Sequence, residues 1–218
     1  MRSDAKDRLA HVLWLGGSSC AGKSSIARLL APRHGLTIYH CDDHFDEHAR
    51  RLDPSRQPYF WGIKDLSPEQ LWMRPVEVQV AELSSFYEEE LDMVVDDLLS
   101  LGPAAPVLVE GAGLAPRNVV GLLRHPRQAL WLITSPDFRR REYPRRGGFV
   151  RELLAQCSDP TTAFDNWMKR DEERARLLKA DLTDMSLPFL EVDGRRAVTE
   201  MAELVMRHFD LGGGGTSA

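Results

Sequence analysis

Gly17-Ser18-Ser19-Cys20-Ala21-Gly22-Lys23-Ser24 stands between a short apolar run, Val12-Leu13-Trp14-Leu15, and a helical pattern, Ser25-Ile26-Ala27-Arg28-Leu29-Leu30. A strand, then G-x-x-x-x-G-K-[ST], then a helix is the context in which this spacing reads as a phosphate-binding loop. Glycines let backbone N–H groups turn inward on a polyphosphate, and the helix that follows points its positive end at the same anion. Lys23 would reach the β- and γ-phosphates, and the Ser24 hydroxyl would hold Mg²⁺. The candidate nucleotide-binding set is therefore Gly17, Ser18, Ser19, Cys20, Ala21, Gly22, Lys23, Ser24 and Ser25.

Outward from this loop, five apolar runs read as buried parallel strands: residues 11–15, 36–40, 106–110, 129–134 and 188–192. Helical patterns separate them, which predicts an α/β fold with a parallel sheet covered on both faces. The first helix is expected from about residue 23 to Pro32, and the last from 197 to 209. About 65 residues separate the second and third runs, too many for an ordinary crossover. That stretch opens with a polar, Pro-rich part, residues 45–64. A helix start follows at Ser67-Pro68-Glu69, and then a long amphipathic helix over 76–101, ended by Gly102-Pro103. It reads as a helical insertion, at about 45–103, and a natural place for an acceptor pocket. Its aromatic residues Tyr59, Phe60, Trp61, Trp72, Phe86 and Tyr87 permit base stacking. Asp159-Pro160 caps a further helix, running to about Asp181.

Asp42 and Asp43 follow the second run, at the carboxyl end of a strand, where open α/β sheets place their ligands. Either would take the proton from an acceptor hydroxyl or position Mg²⁺ through water, against the alternative of a helix cap or solvated turn; Asp42 is favoured. Glu110 ends the third run, and a buried run closing on a carboxylate and small residues points to Mg²⁺ rather than packing. Gly111 and Gly113 would keep space there for a ligand. Arg139, Arg140, Arg141, Arg145 and Arg146 fall within eight residues. They read first as a lid neutralising charge on a transferred phosphoryl group, ahead of a nucleic-acid face or a solvated surface, with Arg139 and Arg146 as the candidates. Arg174, Lys169 and Arg74 are weaker candidates for ligand contact. His44 and His48 would share a helical face as zinc ligands do, yet read better as solvated loop histidines. Cys20, at a helix N-terminus, raises the idea of a redox-sensitive thiol.

Composition narrows the class further. A chain of 218 residues with 43% hydrophobic and 28% charged residues suits one α/β domain, expected over 1–211, with a Gly-rich flexible tail at 212–218. Its net charge of −5 argues against nucleic acid or an acidic membrane as partner. No apolar run is long enough for a membrane span or a signal peptide. The three cysteines are widely spaced and form no C-x-x-C pair, which favours reduced thiols in a cytoplasm.

With these residues in view, the chain resembles the small-molecule P-loop kinases, such as uridine kinase, gluconate kinase, shikimate kinase and chloramphenicol phosphotransferase. Residues 16–24 are similar to the phosphate loop of uridine kinases and chloramphenicol phosphotransferase. Asp42-Asp43-His44-Phe45 is similar to the acidic-aromatic motif of uridine kinases, one residue longer through His44. Val109-Glu110-Gly111 looks like their third-strand ending, and residues 139–146 fall where the family carries its lid, here at about 137–160. The resemblance implies a three-layer P-loop NTPase fold of strand order 2-3-1-4-5. It also implies ATP and Mg²⁺ as cofactors and transfer of the γ-phosphate to a hydroxyl or phosphate of a small-molecule acceptor. A nucleotide-dependent switch or ATPase acting on a partner protein is the competing reading. The base-reading N-K-x-D of GTPases has no counterpart: Asn166-Trp167-Met168-Lys169-Arg170-Asp171 has the wrong spacing.

Overall fold

Alternating side chains build the sheet and divide the core between its faces. In the computed structural model, which describes residues 2–212, strands β1 (Val12–Gly17), β2 (Thr37–His40), β3 (Val107–Glu110), β4 (Ala129–Thr134) and β5 (Phe189–Val192) are all parallel. Their order is β2-β3-β1-β4-β5, the order the resemblance implies. Val12 and Trp14, Val107 and Val109, and Ala129, Trp131 and Ile133 point to one face; Leu15, Leu108, Leu130 and Leu132 point to the other. Burial on both faces is why β1, β3 and β4 read as continuous apolar runs, whereas the edge strands β2 and β5 are only partly buried.

The helices in chain order are α1 (Arg2–Arg8), α2 (Lys23–His34), α3 (Phe45–Arg51), α4 (Pro58–Ile63), α5 (Pro68–Trp72), α6 (Val76–Leu101), α7 (Pro116–Val119), α8 (Pro136–Glu142), α9 (Gly148–Leu154), α10 (Pro160–Asp184) and α11 (Val198–His208). Ile26 and Leu30 of α2 and Met201 and Val205 of α11 cover the Leu15 face. Leu91, Val94 and Leu98 of α6 and Leu178 and Leu182 of α10 cover the Trp14 face. Three layers result.

Most boundaries follow the sequence. Helix α6 covers the expected 76–101, ending on Gly102 at φ 68. Helix α2 runs past the expected stop at Pro32 to His34, and closes where Gly35, at φ 62, donates its N–H to Ala31 O. Residues 45–64 depart most: the polar stretch expected there contains α3 and α4. Their apolar residues Phe45, Ala49, Phe60 and Ile63 pack on Phe86 and Met93 of α6, so tertiary burial overrides weak local propensity. Of the expected tail, residues 213–218 lie outside the described residues.

Candidate active site

The phosphate loop is bent by backbone geometry that few residues tolerate. Gly17 sits at φ 121 and Gly22 at φ 80, positive values that ordinary side chains rarely adopt. A Cβ on Gly17 would lie 2.1 Å from Leu132 O, so the loop's first turn is also wedged against β4. Gly22 then starts α2. Lys23 is buried, and its Nζ donates to Ser18 O at 2.9 Å and Gly17 O at 3.3 Å, leaving a third N–H for a ligand. Burial lowers the pKa of Lys23, opposed by the charges of Glu110 and Asp42.

A cavity of about 770 Å³ opens over this loop, and its lining includes Ser19, Cys20, Ala21, Gly22, Lys23, Ser24 and Ser25. Gly17 and Ser18 lie outside its lining, beside a smaller cleft next to Arg174. Asp42 and Glu110 also line the large cavity, whereas Asp43, exposed like Asp42, does not. The two aspartates are neighbours in a 3₁₀ turn, Cys41–His44, so their side chains leave it about 120° apart. Glu110 is buried, with Oε1 2.6 Å from His40 Nδ1.

The five arginines separate by partner. Arg139 is buried and committed to Thr134: Nε donates to Oγ1 at 2.9 Å and Nη2 to the carbonyl at 3.0 Å. A guanidinium held there lies outside the cavity lining. Arg140 pairs with Asp165, and Arg141 lies over Phe138. Arg145 and Arg146 do line the cavity. Arg145 pairs with Glu142 at 2.7 Å, while Arg146 packs over Tyr143 and Phe149 with no carboxylate partner among the described residues.

Sequence reasoning passed over Arg170, which the fold brings to the same cavity. It lies over Trp72, 4.4 Å from the ring centroid, and donates to Asp171 Oδ1 at 2.6 Å. Trp72 stacks on Trp167, whose Nε1 donates to the Tyr143 hydroxyl oxygen, and that hydroxyl donates to Asp171. The only sequence signal was an aromatic and an arginine far apart in the chain. Three weaker candidates lie elsewhere. Arg174 covers Tyr87 and donates to Ala112 O, Lys169 lines a separate groove beside β4, and Arg74 pairs with Glu82 at 2.6 Å.

Four expectations change. The space beside Gly111 and Gly113 is filled by protein: a Cβ would meet Cys41 Cβ at 2.8 Å and Tyr87 Cδ1 at 2.5 Å. Those glycines admit neighbouring side chains, not a ligand. His48 is fully buried between carboxylates rather than solvated, and His44 stacks on Tyr39. The Cys20 thiol is pushed up to about 11, chiefly by burial, so the helix N-terminus does not produce a reactive thiolate. Of the insertion's aromatics, Tyr87 lines the cavity, Phe60 and Phe86 are core, and Tyr59 and Trp61 face solvent.

No family model and no curated protein matches the chain. Solved structures do. A shikimate kinase from Bacteroides thetaiotaomicron superposes with a TM-score of 0.52 at 14% identity, covering 91% of this chain and 98% of that one. Shikimate kinase from Acinetobacter baumannii in complex with shikimate gives 0.49 at 14% identity, over 97% and 99%. Deoxyadenosine kinase from M. mycoides with bound dATP gives 0.47 at 12%, over 91% and 99%. With its strand order and phosphate loop as described, this chain adopts the fold of the small-molecule P-loop kinases.

Proposed function

We propose that this chain is an ATP-dependent phosphotransferase that moves the γ-phosphate of ATP to a hydroxyl, or a phosphate, of a small molecule. One observation carries the reading: the phosphate loop, Asp42, Glu110 and the cations Arg146 and Arg170 all line one cavity. Phosphoryl transfer asks the protein for positioning and charge stabilisation, and these are the groups that supply both. The shared fold with a shikimate kinase supports it.

Loop amides and Lys23 would hold the β- and γ-phosphates. Ser24 and Glu110 fit Mg²⁺, because both line the cavity and offer hard oxygen donors, and this ion takes few protein ligands beside phosphate and water. When bound, Mg²⁺ would neutralise charge on the β- and γ-oxygens. Asp42 would orient the acceptor hydroxyl and receive its proton; its exposure to the cavity favours it over Asp43. Arg146 and Arg170 would offset charge on the transferred group, the part first read for Arg139. The cysteines are free thiols, which supports a cytoplasmic setting, and no helix among the described residues is long and apolar enough to cross a membrane.

Single-turnover incubation with γ-labelled ATP and pooled metabolites tests the reading. Label should reach a small molecule with the native chain and not with Lys23→Ala. Hydrolysis alone, unaffected by every pool, would overturn it.

A further inference from the structure

The turn that carries Asp42 runs directly into α3, and α3 carries His48 on its inner side. His48 is fully buried, with Nε2 2.9 Å from Asp97 Oδ2 and Nδ1 3.4 Å from Glu90 Oε1. Glu90 and Asp97 are seven residues apart on α6, two turns along one face. An imidazole with a carboxylate at each nitrogen donates to both only as the cation. Asp97 is itself held from several sides: the Tyr39 hydroxyl donates to Oδ2 at 2.6 Å, and Arg51 pairs with Oδ1. The ring of His44, stacked on Tyr39, lies 6.0 Å from that of His48. Facing His48 are thus Tyr39 from β2, His44 from the turn, Arg51 from α3, and Glu90 and Asp97 from α6.

His48 does not line the cavity, so it touches neither nucleotide nor acceptor there. Its reach is indirect. It lies six positions from Asp42, and the clamp it makes, beside the Arg51–Asp97 pair, ties their shared segment to the long helix. Resting on the phosphotransferase reading above, we propose that His48 is a positioning residue: as a cation between Glu90 and Asp97 it fixes the Asp42-bearing turn against α6 and so sets Asp42 toward the acceptor.

Burial alone would disfavour the cation, but the hydrogen bonds and charges of Glu90 and Asp97 outweigh it and raise the pKa of His48 above its ordinary value. Burial also raises Glu90, against the pull of His48. Asp97, despite its burial, is held low by Tyr39, His48 and Arg51. The sign follows. The clamp is intact below the ordinary histidine range and is lost as pH rises through the elevated value in the folded chain.

The test is a nuclear magnetic resonance titration of histidine-labelled full-length protein, run beside the pH profile of acceptor kcat/KM. His48 should titrate above ~6.5. The alkaline limb of kcat/KM should fall at the same pH. Glu90→Gln, which removes one carboxylate charge, should move both downward together by about one unit. His48→Gln should raise acceptor KM about tenfold, with ATP KM changed less than about twofold. A His48 titrating at or below the ordinary value, or a rate limb that stays while the resonance moves, would overturn the proposal. If no acceptor is phosphorylated at all, the function reading fails by itself, and the clamp is judged on the Asp42 amide resonance. That resonance must shift with the His48 titration; a flat response sinks the clamp.

Discussion

His40 and Glu110 are register partners across the β2–β3 pair, and His40 Nδ1 lies 2.6 Å from Glu110 Oε1. One oxygen of the carboxylate is thereby anchored by the neighbouring strand, and the group has one orientation in which to face the cavity it lines. Partners of this kind hold a metal-binding carboxylate in place, and their loss costs ~10–100-fold in metal affinity. His40→Ala should therefore raise the Mg²⁺ concentration for half-maximal ATP turnover by about tenfold. His40→Asn, which keeps a donor near the Nδ1 position, should recover part of it. Calorimetry of Mg·ATP binding should show the same ranking; equal Mg²⁺ dependence in all three proteins would contradict the role.

Asp42 and Asp43 offer a sharp comparison, since they are adjacent and only Asp42 lines the cavity. A positioned base contributes ~10²–10⁴-fold to proton transfer. Asp42→Asn should lower the single-turnover rate by about that factor, with ATP affinity retained. Asp43→Asn should change the rate less than about threefold, as a solvated carboxylate would.

Lys23→Ala should lose ~10²–10³-fold in kcat, the cost of removing one preorganised donor from a phosphoryl transfer site. It should also lower stability by about 1–2 kcal/mol, because Gly17 O and Ser18 O lose a buried donor. Denaturant unfolding separates that smaller effect from the kinetic one.

Gly17→Ala joins two penalties: a Cβ 2.1 Å from Leu132 O, and a φ of 121 that L-residues avoid. The obstacle is backbone of β4, so no rotamer relieves it. A loss of ~3 kcal/mol is expected, which lowers Tm by roughly 10 °C in a chain of this size. Gly22→Ala, where no atom lies within 4 Å of the added Cβ, should lose less, through its φ alone. Differential scanning calorimetry would show whether the order holds.

Thiol chemistry supplies a test independent of catalysis. With Cys20 pushed up to about 11 and Cys41 and Cys157 also raised by burial, little thiolate is present near neutral pH. Alkylation of the folded protein at pH 7.5 should run roughly a hundredfold slower than of an unfolded control, since only the thiolate reacts. Rapid labelling of Cys20 would show that the loop leaves the thiol more open than its burial here.

Sequence alone determined what depends on neighbours along the chain. Residues 17–24 specify a phosphate loop because glycine spacing, lysine and hydroxyl all act within one turn. The five apolar runs specify strands, buried in the three central ones where the parallel sheet hides both faces, and the long amphipathic pattern of 76–101 specifies its own helix. Tertiary structure alone decided which distant groups meet. Asp42 and Asp43 are indistinguishable as letters, and only the turn's rotation against β3 exposes one to the cavity. Arg139 and Arg146 belong to one basic run, yet Thr134 takes the first and the cavity receives the second. Arg170 and Trp72 meet across nearly a hundred residues, and His48 owes its burial to Glu90 and Asp97 more than forty residues away. The reason is physical: a side chain's charge state and direction follow from the dielectric and the partners around it, and packing brings those from anywhere in the chain.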